Sequence, residues 1–255
     1  FVDTEVSPHE WQTVASHTTW AVGNAIILAA ADVLCQLRKA AGQVWGVRPE
    51  DLAIDDGQVF WTDDPSRVLT FGQLSLGYTQ PSGEAVNDPI MGRGSFVPRG
   101  LVYPDPVTGQ GNAAADWTFG CQGAEVEVDT RTGEIIVRRL ITAIDVGRVV
   151  NPLLARGQIL GGMTQALGSA LSEQLIYSST GQMRNHSLTD YKIPGPEDIP
   201  TETKVIFIET PDHTGPFGAR GGGEYLHGHG GEPDRRARLL EQSRSHRRNL
   251  HRRLD

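Results

Sequence analysis

Glu224 is preceded by five glycines in GPFGARGGGE, residues 215–224. Glycine costs conformational entropy and adds nothing to a core, so such a cluster suits a backbone that must approach something closely. A carboxylate at the end of that loop, pushed up in pKa by burial, has the chemistry of a general base; a solvated loop glutamate is the competing reading. Two other segments could meet a ligand. QTVASHTTWAVGNA, 12–25, places hydroxyls and small residues at a helix start, where unpaired N–H groups favour an anion such as phosphate. Plain capping by Ser16 or Thr18 explains the same spacing. In ARGQILGGMTQALG, 155–168, Gln158 stands beside Gly157 in the first turn of a predicted helix. Its amide could read the polar edge of a heterocycle, or simply face water. A strand-to-helix GxGxxG is absent, and GRGSF at 92–96 lacks the residues of a phosphate-binding P-loop.

The elements that must position these residues alternate in kind. TTWAVGNAIILAAADVLCQLRKAAGQV predicts a helix from Thr18 to about Val44, with Arg and Lys late, as the helix dipole favours. VRPEDLAIDDGQVFWTDD predicts a hairpin about Asp56-Gly57, and Gly72–Leu76 a short helix. Residues 80–116, rich in Pro and Gly, read as a long loop. AEVEVDTRTGEIIVRRLITAIDVG predicts a second hairpin: Ala124, Val126 and Val128 alternate with acids, and a turn from Asp129 to Gly133 leads into a second, apolar strand. Ile159, Met163, Leu167 and Leu171 recur at helical spacing after Asn151-Pro152, and TETKVIFIE is a last strand. The expected class is α+β, with antiparallel sheets, mixed in arrangement, and long helices.

Composition narrows the function classes. The net charge is −8, and residues 225–255 carry eight Arg against four acids, leaving −12 on residues 1–224. An acidic body argues against nucleic acid as the partner. Cys35 and Cys121 form no CxxC pair, so the chain offers neither a disulfide framework nor a thiolate cluster site, and a cytoplasmic, reducing setting is expected. No apolar run approaches the ~20 residues of a membrane helix, so no membrane partner is expected. The opening FVDTEVSPHEWQ lacks the features of a signal peptide and reads as the interior of something larger.

TVASHT, EVEVDTRTGEI, AIDVGRVVNP, GQILGGMTQALG, DYKIP and GARGGGE, in this order from about Asp3 to Glu224, resemble the C-terminal half of the molybdopterin-binding large subunit of the xanthine dehydrogenase and aldehyde oxidase family. The resemblance implies a molybdopterin-binding domain over residues 1–224, of one or two subdomains. It implies a molybdenum–molybdopterin cofactor, with the pterin carried alone or as a dinucleotide, and no protein ligand to the metal. Val14, Ala15, Ser16, His17 and Thr18 would lie against the pterin phosphate, Gln158 would contact the cofactor, and Gly222 and Gly223 would let the loop approach it. Glu224 would be the catalytic base in hydroxylation of an aldehyde or N-heterocycle with oxygen from water. Iron–sulfur and FAD centres would reside in partner subunits, and the N-terminal half of the molybdenum subunit would be a further partner. The competing reading is a cofactor-binding structural half without turnover of its own. The match ends at Glu224: YLHGHGGEPDRRARLLEQSRSHRRNLHRRLD replaces the apolar helix that the family has next. An out-of-frame continuation is the expectation, ahead of a natural basic extension and of a metal site at His227 and His229.

Overall fold

The computed structural model describes residues 3, 5, 7 and 14–222. Its chain divides into two compact units, one of residues 18–115 and one combining 1–17 with 116–255. Both mix helix and sheet, and the fold class is α+β.

In the first unit, helix α1 (Thr18–Trp45) runs 28 residues, close to its predicted bounds. Its C-terminal half packs Leu37, Ala40 and Ala41 against Leu52, Val59, Leu69 and Leu74, which lie on a small sheet and a short helix. That sheet has strands β1 (Leu52–Asp55), β2 (Gln58–Trp61) and β3 (Val68–Thr70) in sequential antiparallel order. Asp56 and Gly57 both adopt positive φ, 42° and 72°, as a two-residue hairpin turn demands. Thr70 caps α2 (Phe71–Ser75), accepting from the Gln73 amide while the Gln73 side chain accepts from the Thr70 N–H. Arg38 and Lys39 fall short of the last turn of α1, which holds no basic residue.

The loop at 90–96 is a strap laid along α1. Gln36 donates to the Met91 carbonyl, the Arg93 N–H donates to Asp32, and Trp20 meets Phe96 edge to face at 5.0 Å. The two glycines of GRGSF let the backbones touch: a Cβ on Gly94 would collide with Ala25 O and lie 2.5 Å from Ala29 N. That is the physical use of a motif that had no place in phosphate binding. By length and composition α1 would suffice to cross a bilayer, against the expectation that no segment does. Its run from Thr18 to Ala31 carries no charge, and in the fold the strap and the sheet lie against this apolar helix.

In the second unit, β4 (Phe119–Val128) and β5 (Ile135–Asp145) form a long hairpin, and β6 (Glu202–Ile208) pairs with β5 in parallel. A parallel neighbour needs a crossover, and α3 (Pro152–Leu171) lies within it. Asn151 caps α3, its side chain accepting from the Leu154 N–H at 3.1 Å, and Pro152 takes the first position. Ile159 and Met163 on α3 pack with Ile144 and Val146, flanked by Leu140, Val205 and Phe207. Burying each such side chain contributes about 1.5–3 kcal/mol. The helical spacing predicted this face correctly. The alternation in β4 correctly marked a hairpin strand but no buried face: all ten residues are exposed, Val126 and Val128 among them, because β4 is an edge strand and α3 packs on β5 and β6.

Candidate functional site

The second unit brings together three segments singled out in the sequence. Residues 14–17 form a tight turn closed by the His17 N–H donating to Val14 O at 3.2 Å. Ala15 and Ser16 both take left-handed backbone conformations, φ 54° and 51°. Neither is glycine, and each such residue costs on the order of 1–3 kcal/mol unless its surroundings hold it there. Part of that hold is visible: the Gln158 amide donates to Ser16 Oγ at 2.8 Å. Ser16 therefore uses its hydroxyl on α3. Gln158 lies in the second turn of α3 rather than the first, because the helix begins at Pro152, and it stays exposed.

His17 meets the glycine segment. A Cβ added to Gly221 would lie 2.6 Å from His17 Cδ2 and 2.9 Å from Nε2, so the ring occupies the place a side chain would take. Behind both stands Asp116, its side chain 1% exposed. Its Oδ2 accepts from the Gly221 N–H at 2.9 Å, and its Oδ1 lies 3.7 Å from His17 Nε2. Thr118 donates its hydroxyl to Gly221 O at 2.6 Å, so that residue is held at both its N–H and its carbonyl. Thr18, also expected at the phosphate, opens α1 in the other unit. Val14 is half exposed.

The glycine segment is anchored further back. Arg220 donates from Nη1 to Trp117 O at 2.7 Å and from its N–H to Val146 O at 2.8 Å. Its guanidinium lies 3.6 Å from Asp212. Asp145, at the end of β5, accepts from the Gly147 and Thr210 N–H groups at 3.0 and 3.1 Å. Burial pushes the Asp145 carboxyl up in pKa, but those hydrogen bonds, the Thr210 hydroxyl and the Arg220 charge together hold it below its ordinary value. Asp212 is lowered in the same way, with Thr214 and Arg220 outweighing burial. Asp116, Thr118, Arg220 and Asp145 are the residues that sequence reasoning missed. They sit in AAADWTF, RGG and AIDVG, where nothing in residue type or spacing marks a buried carboxylate. Gly223, Glu224 and residues 225–255, including His227 and His229, lie outside the described residues.

Comparison with known proteins gives the family and the fold. The family described as "Molybdopterin cofactor-binding domain" matches residues 2–200. The gamma subunit of the 6-hydroxypseudooxynicotine dehydrogenase complex of Paenarthrobacter nicotinovorans is 32% identical over 222 residues. The alignment covers 87% of this chain and 26% of that subunit, so the chain spans about a quarter of its relative's length. Among solved structures, quinoline 2-oxidoreductase from Pseudomonas putida 86 superposes with a TM-score of 0.63 at 25% identity, over 88% of this chain and 27% of that one. Reconstituted CO dehydrogenase from Oligotropha carboxidovorans shares the fold, with a TM-score of 0.67 at 23% identity, over 88% of this chain and 26% of the other.

The residues fit the group that this family binds. The strained turn at 14–17 offers hydroxyl and backbone N–H donors, which suit a phosphate. Gly222 and Gly157 have ordinary backbone angles and nothing within 4 Å of a would-be Cβ, so no contact among the described residues requires glycine at either. Gly157 directly precedes the exposed Gln158 in α3, and a glutamine amide beside a residue without a side chain suits the polar edge of a flat heterocycle. Among the described residues no group of three or more His, Cys, Asp and Glu is placed to hold a metal ion directly.

Proposed function

Because this chain belongs to the molybdopterin cofactor-binding domain family, we propose that it forms one wall of the cofactor site in a molybdenum hydroxylase. The observation that carries this is the convergence of three distant segments: Ser16 bonded to Gln158, and His17 seated against Gly221. The cofactor, when bound, supplies the two-electron oxidation of a substrate carbon.

The chain's own residues have four tasks in this reading. The turn at Val14–His17 binds the phosphate through N–H groups and the Ser16 hydroxyl. Gln158 presents its amide to the pterin and, through Ser16, keeps the turn in its strained form. Gly222 and Gly223 admit the ligand to within contact distance of the backbone. Glu224 accepts a proton at its carboxylate from the oxygen nucleophile, which derives from water. The reaction balances as substrate C–H plus water giving C–OH, two protons and two electrons. An aldehyde or an N-heterocycle is the substrate class, and the electrons pass to iron–sulfur and FAD centres on partner subunits. The relatives support this in outline: one is a complex subunit and another a quinoline oxidoreductase. A second reading follows from the chain's span of 26% of its relative. In it the chain holds the cofactor while the reacting groups come from elsewhere.

The test is to co-produce the full chain with the rest of its oxidoreductase and measure molybdenum per protein in the parent, Ser16→Ala and Gln158→Ala. Both variants should lose cofactor. Parental molybdenum content in both would refute the assignment.

A further inference from the structure

The structure assigns Asp116 a positioning role: its carboxylate locks the 14–17 turn to the glycine segment that leads to Glu224. This rests on the reading that the turn and Gln158 hold the cofactor. Asp116 is almost fully buried, yet only one of its oxygens is hydrogen-bonded. Burying a carboxylate with an unsatisfied oxygen is costly, and an apolar residue of similar volume is often the more stable choice. Packing alone therefore gives a poor reason for Asp at this position. What the carboxylate touches gives a better one. Oδ2 holds the Gly221 N–H at 2.9 Å, and Oδ1 faces His17 Nε2 at 3.7 Å.

The segment around Asp116 is itself tied to the same loop. Thr118 takes the Gly221 carbonyl at 2.6 Å, and Trp117 offers its own carbonyl to Arg220 at 2.7 Å. Three consecutive residues thus grip residues 220 and 221. Only Asp116 also reaches the turn, by way of the imbedded ring that blocks any side chain at Gly221. Without that link the His17 ring loses one of the contacts that seat it on Gly221, and the Ala15–Ser16 turn loses one of its supports. Asp116 acts through His17 and Gly221, and it need not touch the cofactor.

Asp116→Asn separates the two contacts. Its amide oxygen still accepts from the Gly221 N–H, but an NH2 group then faces His17 where an anionic oxygen stood. In the full chain assembled with its oxidoreductase partners, Asp116→Asn should leave Gly221 amide exchange within about threefold of the parent. Molybdenum loss on dialysis should be about tenfold faster or more, the scale on which supporting residues act on bound metal centres. His17→Gln should do the same, and the double variant should be no worse than the poorer single one, because the two act as one unit. A merely structural aspartate would be fully rescued by Asn. The proposal is overturned if Asp116→Asn retains cofactor within twofold of the parent, if its loss comes with opening of the Gly221 amide, or if the two losses multiply. Ser16→Ala run alongside separates the failures. If Ser16→Ala loses cofactor while Asp116→Asn keeps it, only the positioning role falls; if both keep it, the cofactor reading falls as well.

Discussion

Gln158 and Ser16, 142 residues apart, share a 2.8 Å hydrogen bond that joins α3 to a turn of two left-handed residues. One such bond contributes only about 0.5–1.5 kcal/mol to stability. Gln158→Ala and Ser16→Ala should therefore leave thermal unfolding nearly unchanged while both lower cofactor content. In the double variant the two effects should overlap rather than add, as measured by molybdenum analysis.

Gly221 and Gly222 should respond differently to alanine. At Gly221 a methyl group meets the His17 ring, and the overpacking should cost about 1–3 kcal/mol in chemical denaturation. At Gly222 no atom of the described residues lies within 4 Å of an added Cβ, so stability should hold within about 0.5 kcal/mol. Cofactor retention should nevertheless fall for Gly222→Ala. A Gly222→Ala protein with parental molybdenum content would remove this glycine from the binding surface.

Gly94→Ala tests the strap along α1. The added methyl would collide with the backbone at Ala25 and Ala29, neither of which can move without bending the helix. Destabilisation of residues 18–115 by about 1–3 kcal/mol is expected, read by hydrogen exchange of α1 amides. Little change in those amides would mean that the strap is held loosely.

Asp145 and Asp212 give an acid limit. Each has its pKa held below the ordinary carboxylate value in the folded chain. Their contribution is therefore fully present above the unfolded value of about 4 and is lost as pH falls through the lower folded value. Amides in 145–148 and 209–220 should exchange faster below about pH 4, beyond the change expected from intrinsic chemistry. Asp145→Asn should flatten that dependence.

Glu224→Gln tests the proposed base. In the complete assembly, reduction by substrate should slow by about 10²–10⁴-fold at equal molybdenum content, since the amide cannot accept the proton. Rapid-mixing rates within about threefold of the parent would favour the purely structural reading.

What the sequence determined by itself was whatever depends on local spacing. The 3.6-residue recurrence of Ile159, Met163 and Leu167 marked the buried face of α3, and Asp56-Gly57 marked a turn that needs two positive φ angles. The order of short motifs likewise carried the family, because each motif is a run of adjacent residues. Tertiary structure alone decided what depends on distant partners. The alternation of Ala124, Val126 and Val128 looks the same on a covered strand as on an edge, and only the place of β4 in the sheet left it exposed. Nothing in TETKVIFIE distinguishes a parallel from an antiparallel partner; the crossover through α3 did. Asp116 carries no signal in AAADWTF, since the burial of a carboxylate and its two contacts are set by residues about one hundred positions away on either side. Ser16, which local spacing allowed to be a helix cap, was claimed by Gln158 because folding brought a side-chain donor to its hydroxyl.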